Sequence, residues 1–217
     1  MKGLLIKDIR LMKNMKNSLI IILLIAAGMS TYINDVSFLI IYMGLIGSTF
    51  TNSTISYDEF DNGYAFLLSL PVTRKVYVKE KYVFGMMLCG SGWLVGTIIA
   101  VIAGWVRGSM VPLDTIQAAL MMLPMVMLLL AVLLPFHLKY GPEKGRIVMI
   151  GAMGFFFVIC VFAVRLADRM NLNPDALVKR MPVMGVGVMT AGAIAVGLMI
   201  LLLSGSISMV IMRKKEF

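Results

Sequence analysis

Six stretches of about 20 predominantly apolar residues, separated by short charged segments, take up most of this chain and fix what it can fold into. As helices rising 1.5 Å per residue, each is long enough to cross a hydrocarbon core of roughly 30 Å. Charged residues make up only 14% of the 217, where a soluble domain carries about a quarter. The expected fold is all-α and integral to the membrane, with transmembrane helices at Asn17–Ile33, Val36–Ser56, Tyr82–Val106, Thr115–Leu138, Ile147–Leu166 and Pro182–Met212. Residues 1–217 then form one transmembrane domain. An interfacial helix over 1–16 precedes spans one and two (17–56), a cytoplasmic segment (57–81), spans three to six (82–212) and a tail (213–217). The basic start followed by Ser18–Met29 imitates a signal peptide, but residues 2–16 are too long and too patterned for one, and the stretch is read as an uncleaved span.

A net charge of +9 invites a nucleic-acid reading, yet the cations sit in clusters between apolar runs and form no single stripe. Membrane orientation accounts for them. Lys2, Lys7, Arg10, Lys13, Lys16, then Arg74, Lys75, Lys79, Lys81, then Lys139, Lys144, Arg146, and finally Arg213, Lys214, Lys215 all fall on one side of a six-span layout. Only Arg107, Arg165, Arg169, Lys179 and Arg180 fall on the other, so both termini are expected in the cytoplasm. Within 4–16, Leu4, Leu5, Ile9, Met12 and Met15 share an arc opposite Lys7, Arg10 and Lys13, with Ile6 and Asp8 off the pattern, as in a helix lying on an anionic membrane face.

The chain offers little for catalysis. The string Gly141-Pro142-Glu143-Lys144-Gly145 lacks the spacing and the Lys-Ser/Thr pair of a phosphate loop, so no nucleotide site and no enzyme activity of its own are expected. His137 is the lone histidine and has no evident partners. Cys89 and Cys160 lie inside apolar runs, where a thiol behaves as a small hydrophobe. The 21 methionines are scattered without Cys or His companions, which fits flexible packing or a path tolerant of varied apolar substrates better than a metal route. Span interiors carry almost no carboxylates, which disfavours a proton relay.

Span two is unusual for the hydroxyls crowding its second half. Ser48, Asn52 and Ser56 share one face at i, i+4 spacing, and two readings stand: helix-to-helix glue with hydroxyls bonded back to carbonyls, or the lining of a cytoplasmic substrate entrance. After span five, Arg165, Asp168 and Arg169 belong either to a solvated loop or to an external lid closed by ion pairs. Gly92 with Gly96, Gly187 with Ala191, and Ala193 with Gly197 have the spacing of close helix crossings.

The segment Tyr57–Lys81 is the most informative. Phe60, Tyr64, Leu67 and Leu68 make a stripe at i, i+4, i+7, i+8 on a piece too short and too charged to span. Asp58, Glu59 and Asp61 stand at its amino end, where they suit a helix dipole, and Pro71 ends it. Thr73 can cap the helix entering span three. The apolar face requires either the lipid surface or the groove of a partner protein.

This layout resembles the type-2 family of ATP-binding-cassette transporter permeases. The resemblance is carried by Asp58-Glu59, by Leu67-Leu68-Ser69-Leu70-Pro71-Val72-Thr73-Arg74 and by Lys81, in the frame of a basic amino-terminal helix and six spans. Within that family the chain looks most like the membrane subunits of exporters of phenol-soluble modulins, amphipathic cytolytic peptides of Gram-positive bacteria. The resemblance implies a permease in a bacterial plasma membrane, paired with a second permease copy as a homodimer. It also implies a separate cytoplasmic ATPase subunit that holds the ATP and Mg and docks on a coupling helix near 58–69. Asp58, Glu59, Phe60, Asp61, Tyr64, Leu67 and Leu68 are the coupling residues it suggests. The competing class is a self-sufficient channel, scramblase or secondary carrier that needs no ATPase.

Overall fold

The computed structural model describes residues 1–32, 36–60, 63–69, 72–108, 112–169 and 185–215, with few side chains between 142 and 169. Every element among them is helical: α1 Lys2–Asn14, α2 Lys16–Tyr32, α3 Val36–Glu59, α4 Gly63–Ser69, α5 Arg74–Arg107, α6 Pro112–Arg169 and α7 Val186–Lys214. Four stretches are long and apolar enough to cross a membrane: Ser37–Glu59, Arg74–Arg107, Leu113–Gly141 and Val186–Lys214. The α1–α2 pair, bent by 65°, adds a fifth if taken as one broken span. For the fifth expected span, Ile147–Leu166, the backbone is helical within α6.

Several boundaries move. Spans four and five are two helices that meet without a loop at Gly141, whose φ of 74° and ψ of −178° are accessible to glycine almost alone. Arg165, Asp168 and Arg169, expected in a loop, lie on the last turns of α6; Lys179 and Arg180 fall outside the described residues. The third span extends two turns earlier than expected, because Thr73 accepts a hydrogen bond from the Val76 amide at 3.3 Å and starts α5 at Arg74. At its far end, Gly108 adopts the left-handed conformation that closes the helix.

Helices α3 and α5 form the central seam, and small residues set its closeness. A methyl group on Gly92 would stand 2.5 Å from the Met43 carbonyl oxygen, and one on Gly47 would stand 2.7 Å from that of Leu88. With backbones this near, dispersion along the seam replaces the hydrophobic drive that lipid cannot supply. Of the other small-residue pairs, Gly197 sits on Pro124 and Met127 of α6, whereas Gly187 faces open space. One core, around Ile55, Tyr77, Leu130, Leu134 and Met212, gathers at the end of the bundle that holds α1 and α4. A second, around Ala26, Ile40, Met43, Ala100 and Ala119, fills the other end.

Helix α1 turns differently from its expected arc. Leu4, Asp8 and Met12, at i, i+4 and i+8, are buried against the protein, while Ile6 and Ile9 are exposed. The off-pattern residue is therefore the middle of the inward face. Lys7, expected outward, also turns in.

Candidate functional site

The inward face of α1 meets the ends of α3 and α5 in a buried ionic cluster. Lys81 on α5 and Asp8 on α1 are both removed from solvent and in direct contact. The Lys81 ammonium also lies 2.9 Å from Asp58 Oδ2 and donates to Thr54 Oγ1 at 3.0 Å. Lys7 contacts Asp58 and stands 3.2 Å from Asp8 Oδ1. Glu80, fully buried, approaches Lys81 at 4.0 Å. The cluster thus holds three carboxylates against two ammonium groups. Burial alone would lower the Lys7 pKa, but its hydrogen bond to Asp58 and the charges of Asp58 and Asp8 outweigh that and hold it above the usual lysine value.

The chain direction explains why cations collect here. Asp58 and Glu59 end α3, instead of beginning the short helix as the sequence suggested, so they stand at the negative end of a helix dipole. That position is unfavourable for a carboxylate unless countercharge is near. Lys7 and Lys81 supply it to Asp58, and Lys215 supplies it to Glu59 at 3.0 Å. Lys215 also donates to the Leu138 carbonyl at 3.3 Å and lies 5.0 Å from the centre of the Tyr64 ring, tying the tail to this end of the bundle. Arg74 caps the end of α7 by donating to the carbonyls of Met212 and Arg213 at 3.2 and 2.9 Å.

The expected stripe on the short helix divides. Tyr64 is 4% exposed and lies edge-on to Tyr77, whose hydroxyl donates to Asp58 Oδ2 at 3.0 Å. Burial raises the Tyr64 pKa far above its usual range, so its phenol is neutral. Leu67 packs on the core. Phe60, in contrast, is 73% exposed, and so is Phe66 at 69%, a residue the stripe left out. Asp61 and the Leu68 side chain lie outside the described residues. The segment therefore has anchored residues, Asp58, Tyr64 and Leu67, and two exposed aromatic side chains, Phe60 just past the end of α3 and Phe66 on α4.

The span-two residues lie elsewhere. Ser48 and Asn52 are buried, and Ser56 is half-buried. Ser48 donates to the Gly44 carbonyl and sits 3.1 Å from the Cys89 sulfur of α5, while Ser56 donates to the Asn52 carbonyl. Among the described residues, Asn52 Oδ1 is buried without a hydrogen bond. His137 is buried, and Arg165 is exposed.

Sequence reasoning missed Asp8, Glu80, Tyr77, Phe66 and Lys215. The usable signal was Asp8 itself, a carboxylate four residues from Leu4 and from Met12 on what is otherwise an apolar face.

No curated protein and no solved structure matches the chain. A family model described as ABC-2 family transporter protein matches residues 3–213. That range takes in the ionic cluster, the short helix and all but the last residue of the candidate spans, so the chain is a multi-pass membrane protein that belongs to the ABC-2 transporter family, as a permease component.

Proposed function

We propose that this chain is the permease subunit of an ATP-driven exporter of amphipathic peptides or similar hydrophobic toxins, working as a homodimer with both termini in the cytoplasm. A separate cytoplasmic ATPase subunit supplies ATP and Mg and docks on the short helix between α3 and α5. Phe60 and Phe66 carry this reading: two large aromatic side chains stand exposed close in sequence to Asp58 and Tyr64, which are buried. Aromatic anchors of this kind are what protein partners bury.

The anchored face supplies the coupling. A load on Phe66 passes from Tyr64 to the Tyr77 hydroxyl of α5, and from there to Asp58, Lys81 and Asp8, so α1, α3 and α5 respond together. A rigid, fully buried charge pair suits this task because stretching it costs more than stretching a surface pair. Ser48, Asn52 and Ser56 would meet cargo only when the α3–α5 seam parts, and the unsatisfied Asn52 amide oxygen would gain a partner then. Arg165, Asp168 and Arg169, at the far end of α6, are the proposed external gate.

The test is copurification. A tag on this chain should bring down an ATPase subunit expressed with it, and Phe60→Asp with Phe66→Asp should abolish that association while leaving the permease folded. Undiminished association of the double variant refutes the docking face.

A further inference from the structure

A groove of about 820 Å³ lies between α5 and α7, open to the side of the bundle. Its walls are almost wholly apolar: Val83, Met86 and Met87 on α5 face Leu198, Leu202 and Met209 on α7. One end differs. Lys79 borders the groove there, Lys75 lies one turn earlier on the same exposed face of α5, and neither makes an ion pair or hydrogen bond among the described residues. Arg74 pins this end to the last turn of α7, which carries the exposed Arg213. The groove therefore has a long apolar trough and, among the described residues, a cationic mouth whose lysines are paired with no carboxylate. Two smaller cavities do not match this combination: in one Lys139 lies over the Tyr140 ring, and in the other the cation is Arg107, which has a partner.

We infer that this groove binds one anionic phospholipid, with acyl chains along Val83, Met86 and Leu202 and its phosphate at Lys79 and Lys75. Charge and shape select the occupant. A zwitterionic lipid fills the trough but leaves the mouth without net countercharge, whereas an anionic headgroup satisfies both parts. The inference rests on the membrane orientation proposed above, which sets the mouth at the cytoplasmic leaflet, and is independent of ATPase docking.

The purified full-length chain, in detergent with equimolar phosphatidylglycerol and phosphatidylcholine, is examined by native mass spectrometry. Wild type should retain phosphatidylglycerol preferentially, and Lys75→Gln and Lys79→Gln should each cut that preference about fivefold. Lys79→Arg should restore it. Gly205→Phe tests the trough: a Cβ there meets only the Tyr82 ring, at 4.0 Å, so the added ring extends into the groove and should reduce retention of both lipids. Equal retention of the two lipids by wild type, or a preference indifferent to Lys75 and Lys79, overturns the site. So does a dimer that Gly205→Phe dissociates without changing lipid retention, since the groove would then hold a second copy. Because no ATPase is present, failure here leaves the docking reading untouched, and failed copurification leaves this one untouched.

Discussion

The Lys81 ammonium and the Asp58 carboxylate meet at 2.9 Å where neither is accessible to bulk solvent, joining the start of α5 to the end of α3. A buried pair of this kind is weak evidence for stability in itself, because desolvation offsets much of the attraction. Breaking it from one side is another matter.

Lys81→Met leaves the buried Asp8 and Asp58 with only the half-buried Lys7 as countercharge and is expected to cost about 3 kcal/mol. In a thermal melt of the detergent-purified protein, the single variant should show a large fall in Tm. Adding Asp8→Asn and Asp58→Asn to Lys81→Met should recover part of it. A recovery of nothing would mean that the charges are not energetically linked.

The legible part of this fold was its class, and the reason is physical. Apolar runs of span length have few alternatives, so the described residues are all-helical with four candidate spans, though several boundaries move, and Thr73 caps α5 as its side chain allows. What the pattern could not give was direction. Asp58 and Glu59 suit the beginning of one helix or, with cations from α1, α5 and the tail, the end of another, and those cations are distant in sequence. Asp8 breaks an amphipathic stripe that suits a lipid surface, but the partner of that face is protein, where a carboxylate finds Lys81. Phe66 was passed over for the same reason: an exposed aromatic breaks a pattern meant to find buried ones.

Gly141 gives a second stability test. Its backbone conformation excludes side chains, and an added methyl group would stand 2.9 Å from Glu59 Oε2. Gly141→Ala should destabilise by about 1–3 kcal/mol from the backbone alone. Adding Glu59→Ala should relieve the contact with Glu59 but not the backbone cost, so the double variant should remain less stable than Glu59→Ala alone.

Tyr82 supplies a deliberately small effect. Its hydroxyl lies 2.6 and 2.8 Å from the Ser204 and Ser208 hydroxyls and bridges α5 to α7. Interhelical hydrogen bonds in membranes average about 0.6 kcal/mol. Tyr82→Phe should therefore shift Tm far less than Lys81→Met, and a comparable shift would mean that this bridge, not the ionic cluster, governs the bundle.

The Lys7 contact carries a pH signature. Its pKa in the fold stands above the ordinary lysine value, so its contribution is complete below that ordinary value and lost as pH rises through the higher one. Hydrogen exchange of α1 amides, corrected for the intrinsic dependence on pH, should show constant protection from pH 7 to about 10 and a loss above that. Loss of protection between pH 7 and 9 would assign the docking of α1 to other groups.

The most direct test of the central claim is a photo-crosslinking amino acid placed at Phe66 in cells that make the full transporter, with Tyr32, exposed at the opposite end of α2, as the control position. The account requires an adduct of this chain with an ATP-binding-cassette ATPase subunit from position 66 and none from position 32. Capture of lipid alone at position 66, together with transport by the purified chain without any ATPase, would contradict it.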